Sequence, residues 1–120
     1  MNKDLQIAKK TVQTEIEGLK KLLKSLNYSS QFSKAVNLIS KAKGKVVVIG
    51  TGKSFIIGSK ISSTLSSLGT ASVAFDSSSL NHGSMGSIQK GFDVLLIFSV
   101  SGETSELNSI LRFSNRNNIP

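Results

Sequence analysis

The chain has 120 residues, 38% of them hydrophobic, with no cysteine, one histidine and a formal net charge of +8. That length bounds it to one modest core at most, and the lack of cysteine excludes disulfides and thiolate metal centres while fitting a reducing, cytoplasmic setting. No apolar run approaches the roughly 20 residues of a membrane span. The charge does not read as a nucleic-acid surface either: ten lysines against Asp4, Glu15 and Glu17 crowd residues 1–45, with Tyr28 the only Tyr or Trp nearby, so the stacking residues of single-strand binding are missing.

From Leu5, apolar residues recur at Ala8, Val12, Ile16, Leu19, Leu23 and Leu26, steps of three and four that line one face of a long helix. Lys9, Lys10, Lys20, Lys21 and Lys24 mostly fall off that stripe, and Glu17 stands four before Lys21, the favourable order for an ion pair. Asn27-Tyr-Ser-Ser30 interrupts the pattern with capping side chains, and Phe32, Ala35, Val36, Leu38 and Ile39 predict a second helix closing near Gly44. Residues 1–44 are thus expected to be a helical segment that precedes a different kind of structure over 45–120.

After Gly44 the pattern changes. Val46-Val-Val-Ile49 is β-branched and continuous, as in a strand covered on both faces of a parallel sheet. Ala71-Ser-Val-Ala-Phe75 and Val94-Leu-Leu-Ile-Phe98 predict two more strands, with helical stretches over Ile56 to Leu68 and Glu103 to Asn115. This is βαβ order and an α/β fold, with right-handed crossovers expected. Three strands make a small sheet, and Asn118-Ile-Pro120 stands where a fourth would start, so the chain is expected to be a truncated form of a larger sheet.

Two phosphate-binding loops compete for Gly50-Thr-Gly-Lys-Ser54. A P-loop needs a glycine five positions before Gly52, where Val47 stands, and no Walker B carboxylate ends the strand at Phe98. The dinucleotide fingerprint fits Gly50 and Gly52, with Asp76 placed as a ribose acid, but its third glycine is Phe55, whose ring would push helix and strand apart.

A second loop, Ser99-Val-Ser-Gly-Glu-Thr-Ser-Glu106, follows the third strand. Ser99, Ser101 and Thr104 there can offer hydroxyls beside free amides at the positive end of a helix. The plainer reading is a capping box. Three hydroxyls and a glycine at the carboxyl end of a parallel strand, where α/β ligands bind, favour an anion site.

These residues resemble a known family. Gly50-Thr-Gly-Lys-Ser54, Ile57-Gly58, Lys60-Ile61, Leu68-Gly-Thr70, His82-Gly83 and Ser99 to Glu106 are similar, in order and nearly in spacing over about residues 30–120, to the sugar isomerase (SIS) domain of the D-arabinose 5-phosphate isomerase family. The resemblance implies a three-layer, flavodoxin-like parallel-sheet fold preceded by amphipathic helices. It also implies interconversion of ribulose 5-phosphate and arabinose 5-phosphate in the 3-deoxy-octulosonate branch of lipopolysaccharide precursor synthesis. No cofactor or metal is implied, the partner is a sugar phosphate, and homo-oligomers are common.

By resemblance Lys53 is the catalytic lysine, Glu106 a proton-transfer group and His82 a substrate-contacting histidine, while Ser54, Ser99, Ser101, Gly102 and Thr104 hold the phosphate and Gly69 and Thr70 lie near the sugar. Each has a plainer reading. Glu106 would also suit a helix dipole as a first-turn acid, and Glu103 a cap. His82, in an Asn-His-Gly turn, would by itself read as exposed or structural. Lys53 is the exception, because a cation at a helix start opposes the dipole.

The family usually has an acid where Ser84 stands, Asn at Val100, Gly at Phe55, a Pro-x-Glu run at Ser77 to Ser79, and a metal-prone histidine at Asp76. Its remaining catalytic Glu and His, and its paired CBS modules, would lie beyond Pro120. The competing reading is a phosphosugar-binding SIS module of a regulator, which would need the serine loop but no base.

Overall fold

A computed structural model describes residues 2–102 and 104–120. The chain divides into two compact units, Met1–Asn37 and Leu38–Pro120.

The first unit is dominated by α1, Lys3–Leu26, which starts where the Asn2 side chain accepts a hydrogen bond from the amide of Asp4 at 3.0 Å. No residue of α1 is buried, and its apolar stripe is 40% exposed even at Ile16 and Leu26. Glu17 pairs with Lys20 at 3.5 Å, one residue short of the expected Lys21, and accepts from Gln13 at 2.9 Å. α2, Ser30–Ser40, begins where the Ser29 hydroxyl accepts from the amide of Phe32 at 3.2 Å. The polar Asn27 to Ser30 break therefore does cap a second helix. No helix among the described residues is long and apolar enough to cross a membrane.

The second unit carries β1 (Val46–Gly50), α3 (Lys53–Ser67), β2 (Ser72–Asp76), α4 (Ser77–Asn81), a 3-10 turn (Ser84–Ser87), β3 (Val94–Phe98) and α5 (Ser105–Asn117). The strands form one sheet in the order β2-β1-β3, all parallel, with Val46 level with Ser72 and Val94, and Gly50 level with Asp76 and Phe98. The continuous β-branched run thus becomes the central strand, and Val46, Val47, Val48 and Ile49 are fully buried. Each such side chain contributes about 1.5–3 kcal/mol.

Alternation along β1 sorts the layers. Val48 faces α3, close enough that a Cβ on Gly58 would sit 2.9 Å from its Cγ1. Val47 and Ile49 face the other way, into a core with Leu80 of α4, Ile88, Leu107 and Ile110 of α5, and Ile119. Helices cover both faces, which is the expected three-layer α/β arrangement. Gly58 supplies the close helix–strand approach that Phe55 was expected to prevent.

Two features escaped the sequence reading. α4 and the 3-10 turn occupy a Ser-rich stretch with no helical stripe. At the amino edge of the sheet, Asp93 is buried and accepts from the Lys45 amide (2.9 Å), the Lys45 ammonium (2.7 Å) and the Gln89 amide (2.8 Å). Burial pushes its carboxyl up, but the Gln89 and Lys45 hydrogen bonds and the lysine charge together hold it below the usual value. After α5, Asn118 adopts a left-handed C-cap (φ 50°), Ile119 is buried, and the Pro120 carbonyl accepts from the Leu95 amide at 2.8 Å on the outer edge of β3.

Candidate functional site

Most of the chemistry-bearing residues lie on loops and helix ends at the carboxyl edge of the sheet. At the end of β1 there is no room for a side chain at Gly50, since a Cβ would stand 2.7 Å from the backbone of Ser54 and Phe55. Gly52 follows at φ 57° and ψ −123°, a conformation that essentially only glycine adopts. The two glycines fold the chain sharply into α3, with the Ser54 amide donating to the Thr51 carbonyl at 3.1 Å. This turn puts Lys53 at the first helical position, exposed and without an ion pair among the described residues, and half-buries Ser54. The Thr51 hydroxyl lies 2.7 Å from that of buried Ser77, tying the turn to the end of β2.

The end of β3 is organised by hydroxyls. Ser99 Oγ accepts from the Gly102 amide at 2.9 Å and lies 3.3 Å from Thr104 Oγ1, with Gly102 at φ 71°. Thr104 is the N-cap residue of α5, yet its side chain makes no cap bond. The capping-box reading fails on position as well: three residues after Thr104 stands Leu107, where the box requires Glu or Gln. Glu106 is exposed in the first turn of α5, and Ser101 is exposed in the loop. The cap expected of Glu103 lies outside the described residues.

At the end of β2, Asp76 caps α4, its Oδ1 accepting from the Ser78 amide at 3.0 Å and the Ser78 hydroxyl at 2.6 Å. A carboxylate spent on a helix cap is poorly placed for a ribose. His82 closes α4 as its C-cap residue and is exposed. Beside it, Asn81 Nδ2 donates to the Glu106 carbonyl at 3.1 Å, and Asn81 Oδ1 accepts from the Ser109 hydroxyl. Asn81 therefore stitches the end of α4, next to His82, to the first turns of α5. Its role was not foreseen, since an asparagine before a histidine carries no signal for a partner 25 residues away.

Because Gly50, Asp76 and Phe98 are level in the sheet, the loops bearing Lys53, Ser54, His82, Ser99, Ser101, Gly102, Thr104 and Glu106 all leave from one edge. Gly69 and Thr70 do not join them. They follow α3 and precede β2, at the amino edge beside Gly44, Val46 and Ala71. A five-residue strand separates the two edges by about 15 Å, so within this chain Gly69 and Thr70 stand at the opposite edge from the other expected site residues. Among the described residues, no group of three or more His, Asp or Glu side chains could hold a metal.

Residues 38–120 match the family model of the SIS domain. The chain belongs to the SIS domain family. Among its relatives are the arabinose 5-phosphate isomerase KpsF of Escherichia coli O6:H1, 38% identical over 112 residues covering 90% of this chain, and KdsD of Pseudomonas aeruginosa, 40% identical over 104 residues covering 87%. The match takes in only 34% and 31% of those proteins, so this SIS chain spans about a third of the length of the curated relatives it matches. Among solved structures, an Escherichia coli CFT073 protein in complex with arabinose 5-phosphate superposes with a TM-score of 0.78 at 30% identity, over 99% of this chain and 63% of that one. A Bacteroides fragilis protein described as a putative phosphosugar isomerase involved in capsule formation gives 0.68 at 33% identity, over 87% of this chain and 60% of that one.

Proposed function

We propose that this SIS chain carries the phosphate-binding and lysine-bearing part of an aldose–ketose isomerase that interconverts ribulose 5-phosphate and arabinose 5-phosphate, on the path to 3-deoxy-octulosonate and lipopolysaccharide. The observation that carries the reading is the Ser99–Gly102–Thr104 turn at the start of α5, on the same sheet edge as the Gly50–Lys53 turn. The arabinose 5-phosphate held by the Escherichia coli CFT073 relative supports the choice of ligand.

In this reading the phosphate sits at the amino end of α5, where the dipole and the leading amides favour a dianion, held by the hydroxyls of Ser99, Ser101, Thr104 and Ser54 and the amide of Gly102. Isomerisation moves a proton between C1 and C2 through an enediol. It therefore needs a group that takes and returns the proton and a positive charge for the oxyanion that develops. Glu106 is assigned the proton, the Lys53 ammonium the oxyanion and His82 a hydroxyl of the sugar. A cytoplasmic location and a homo-oligomer belong to the same proposal, the latter supported by the exposed aliphatic residues of α1.

The test is titration of the isotopically labelled chain with arabinose 5-phosphate, reading backbone amide shifts. Saturable shifts at Gly52 and Gly102 together are expected; a saturating response confined to other residues, or none, rejects the site. Turnover then separates an isomerase from a non-catalytic SIS sensor, because Lys53→Ala should abolish the first and leave binding by the second nearly unchanged.

A further inference from the structure

Outside the strand-end loops, the second unit has a groove of about 420 Å³ between the 3-10 turn and α5, lined by Met85, Ser109, Arg112, Phe113, Arg116 and Asn117. That volume falls within the range of small-molecule sites. Arg112 and Arg116 are the only two arginines of the chain, beside thirteen lysines, and both line this one groove. They are four apart on α5, where like charges repel by a few tenths of a kcal/mol, and neither forms an ion pair among the described residues. No acidic side chain lines the groove.

Arg116 has a local reason to be there, since it lies in the last turn of α5 and complements the helix dipole. Arg112, a full turn earlier, has none. Arginine differs from lysine in presenting a rigid planar fork that matches phosphate in two-point contact. The two arginines share the groove lining with half-buried Phe113 and Met85, whose apolar surface lowers the local dielectric and strengthens the interaction with an anion. Nearby polar groups are already engaged: the Ser109 hydroxyl donates to Asn81 and the Asn117 amide to the Phe113 carbonyl at 2.9 Å. The guanidinium groups are what remains to bind a ligand.

We infer that this groove binds an organic phosphate that carries an apolar or aromatic group, with the phosphate on Arg112 and Arg116 and the apolar body against Phe113 and Met85. The site is separate from the strand-end loops, with Arg112 about 9 Å along the helix axis from Glu106, and it does not depend on the isomerase reading.

Phenyl phosphate is the probe, titrated at constant ionic strength into the labelled full chain. Saturable shifts are expected at Ser109, Arg112, Phe113 and Arg116. Arabinose 5-phosphate, which lacks an apolar body, should act instead at Gly52 and Gly102. Arg112→Gln/Arg116→Gln, both exposed and so compatible with the fold, should weaken phenyl phosphate at least about ten-fold, and the Lys pair, which keeps the charge but loses the fork, about three-fold or more. The inference is overturned if residues 109–116 show no saturable shift, if the Gln pair binds unchanged, or if the Lys pair binds as tightly as the parent chain.

Discussion

Thr104 holds its hydroxyl 3.3 Å from that of Ser99 rather than over the first amides of α5, although it occupies the N-cap position. A threonine at an N-cap ordinarily accepts from the second or third amide of the helix. Here Ser99 draws that hydroxyl away while itself accepting from Gly102. The loop is closed on itself, and the helix end has no cap from Thr104.

Ser99→Ala should therefore loosen the loop more than it destabilises the fold. Its hydroxyl serves one amide and one hydroxyl in a half-buried turn, so the stability loss is about 1 kcal/mol. The dissociation constant for arabinose 5-phosphate should rise about ten-fold or more, because the preorganised geometry is lost. Isothermal titration of the variant against the parent chain measures the second, and urea unfolding the first. A loss of stability with unchanged binding would mean the turn is only structural.

The strands and long helices were legible because their signals are physical: a continuous β-branched run is what a doubly covered strand looks like, and steps of three and four are what a helix face looks like. α4 was not legible, since Ser77 to Asn81 has one apolar residue, Leu80, and no stripe; only the Asp76 cap could have announced it. The loops after β1 and β3 were readable because glycines there answer to backbone geometry. The place of Gly69 and Thr70 at the amino edge was already contained in the βαβ pattern. The segment that enters a parallel strand always lies at the edge opposite the one the previous strand leaves, so residues just before β2 stand at the edge opposite the turn after β1.

Three glycines should respond in opposite directions to alanine. At Gly50 the new Cβ would meet backbone atoms at 2.7 Å, which cannot yield without moving α3, so Gly50→Ala should cost about 3 kcal/mol or more. At Gly58 the obstacle is the Val48 side chain at 2.9 Å, and the cost should be about 1–3 kcal/mol. At Gly18, in the middle of exposed α1, nothing lies within 4 Å, and the substitution should stabilise the helix by about 0.5–1 kcal/mol. Circular dichroism melts of the three variants should order as Gly18→Ala above the parent chain, then Gly58→Ala, then Gly50→Ala.

Asn81→Ala removes the bond to the Glu106 carbonyl and the acceptor for Ser109. Asn81 is exposed, so the stability loss should be about 1 kcal/mol. As a positioning residue for His82 and Glu106, it should affect turnover beyond that, lowering kcat about ten-fold with KM changed less. A matched fall in folded fraction and activity, with kcat per folded molecule unchanged, would make Asn81 purely structural.

The buried Asp93 gives stability a sign with pH. Its carboxyl is held below its ordinary value of 3.8 by the Gln89 and Lys45 bonds, which outweigh burial. The stabilisation is therefore complete above the unfolded value and is lost as pH falls through the lower folded one. Urea midpoints of the parent chain should drop as the pH falls below about 4, where an unfolded carboxylate binds its proton before the folded one does. Asp93→Asn leaves the half-buried Lys45 ammonium only the Ser87 carbonyl as a partner and should cost about 1–3 kcal/mol at pH 7. Its stability should then vary less over that acid range; an equal acid slope in both proteins would assign the slope to other carboxylates.

Lys53 is the position where stability and function should part. An ammonium at the first position of α3 opposes the helix dipole, and no carboxylate among the described residues pairs with it. Lys53→Ala should therefore raise stability by about 0.3–1 kcal/mol. In a full-length version of the isomerase proposed above, the same substitution should lower kcat for ribulose 5-phosphate formation about 100-fold or more, because a charge aimed at a developing oxyanion acts mainly in the transition state. KM should change little, since the proposed site holds the phosphate at the start of α5. Ser101→Ala should do the reverse, raising KM with kcat nearly kept. A Lys53→Ala variant that is both more stable and fully active would remove the proposed catalytic role.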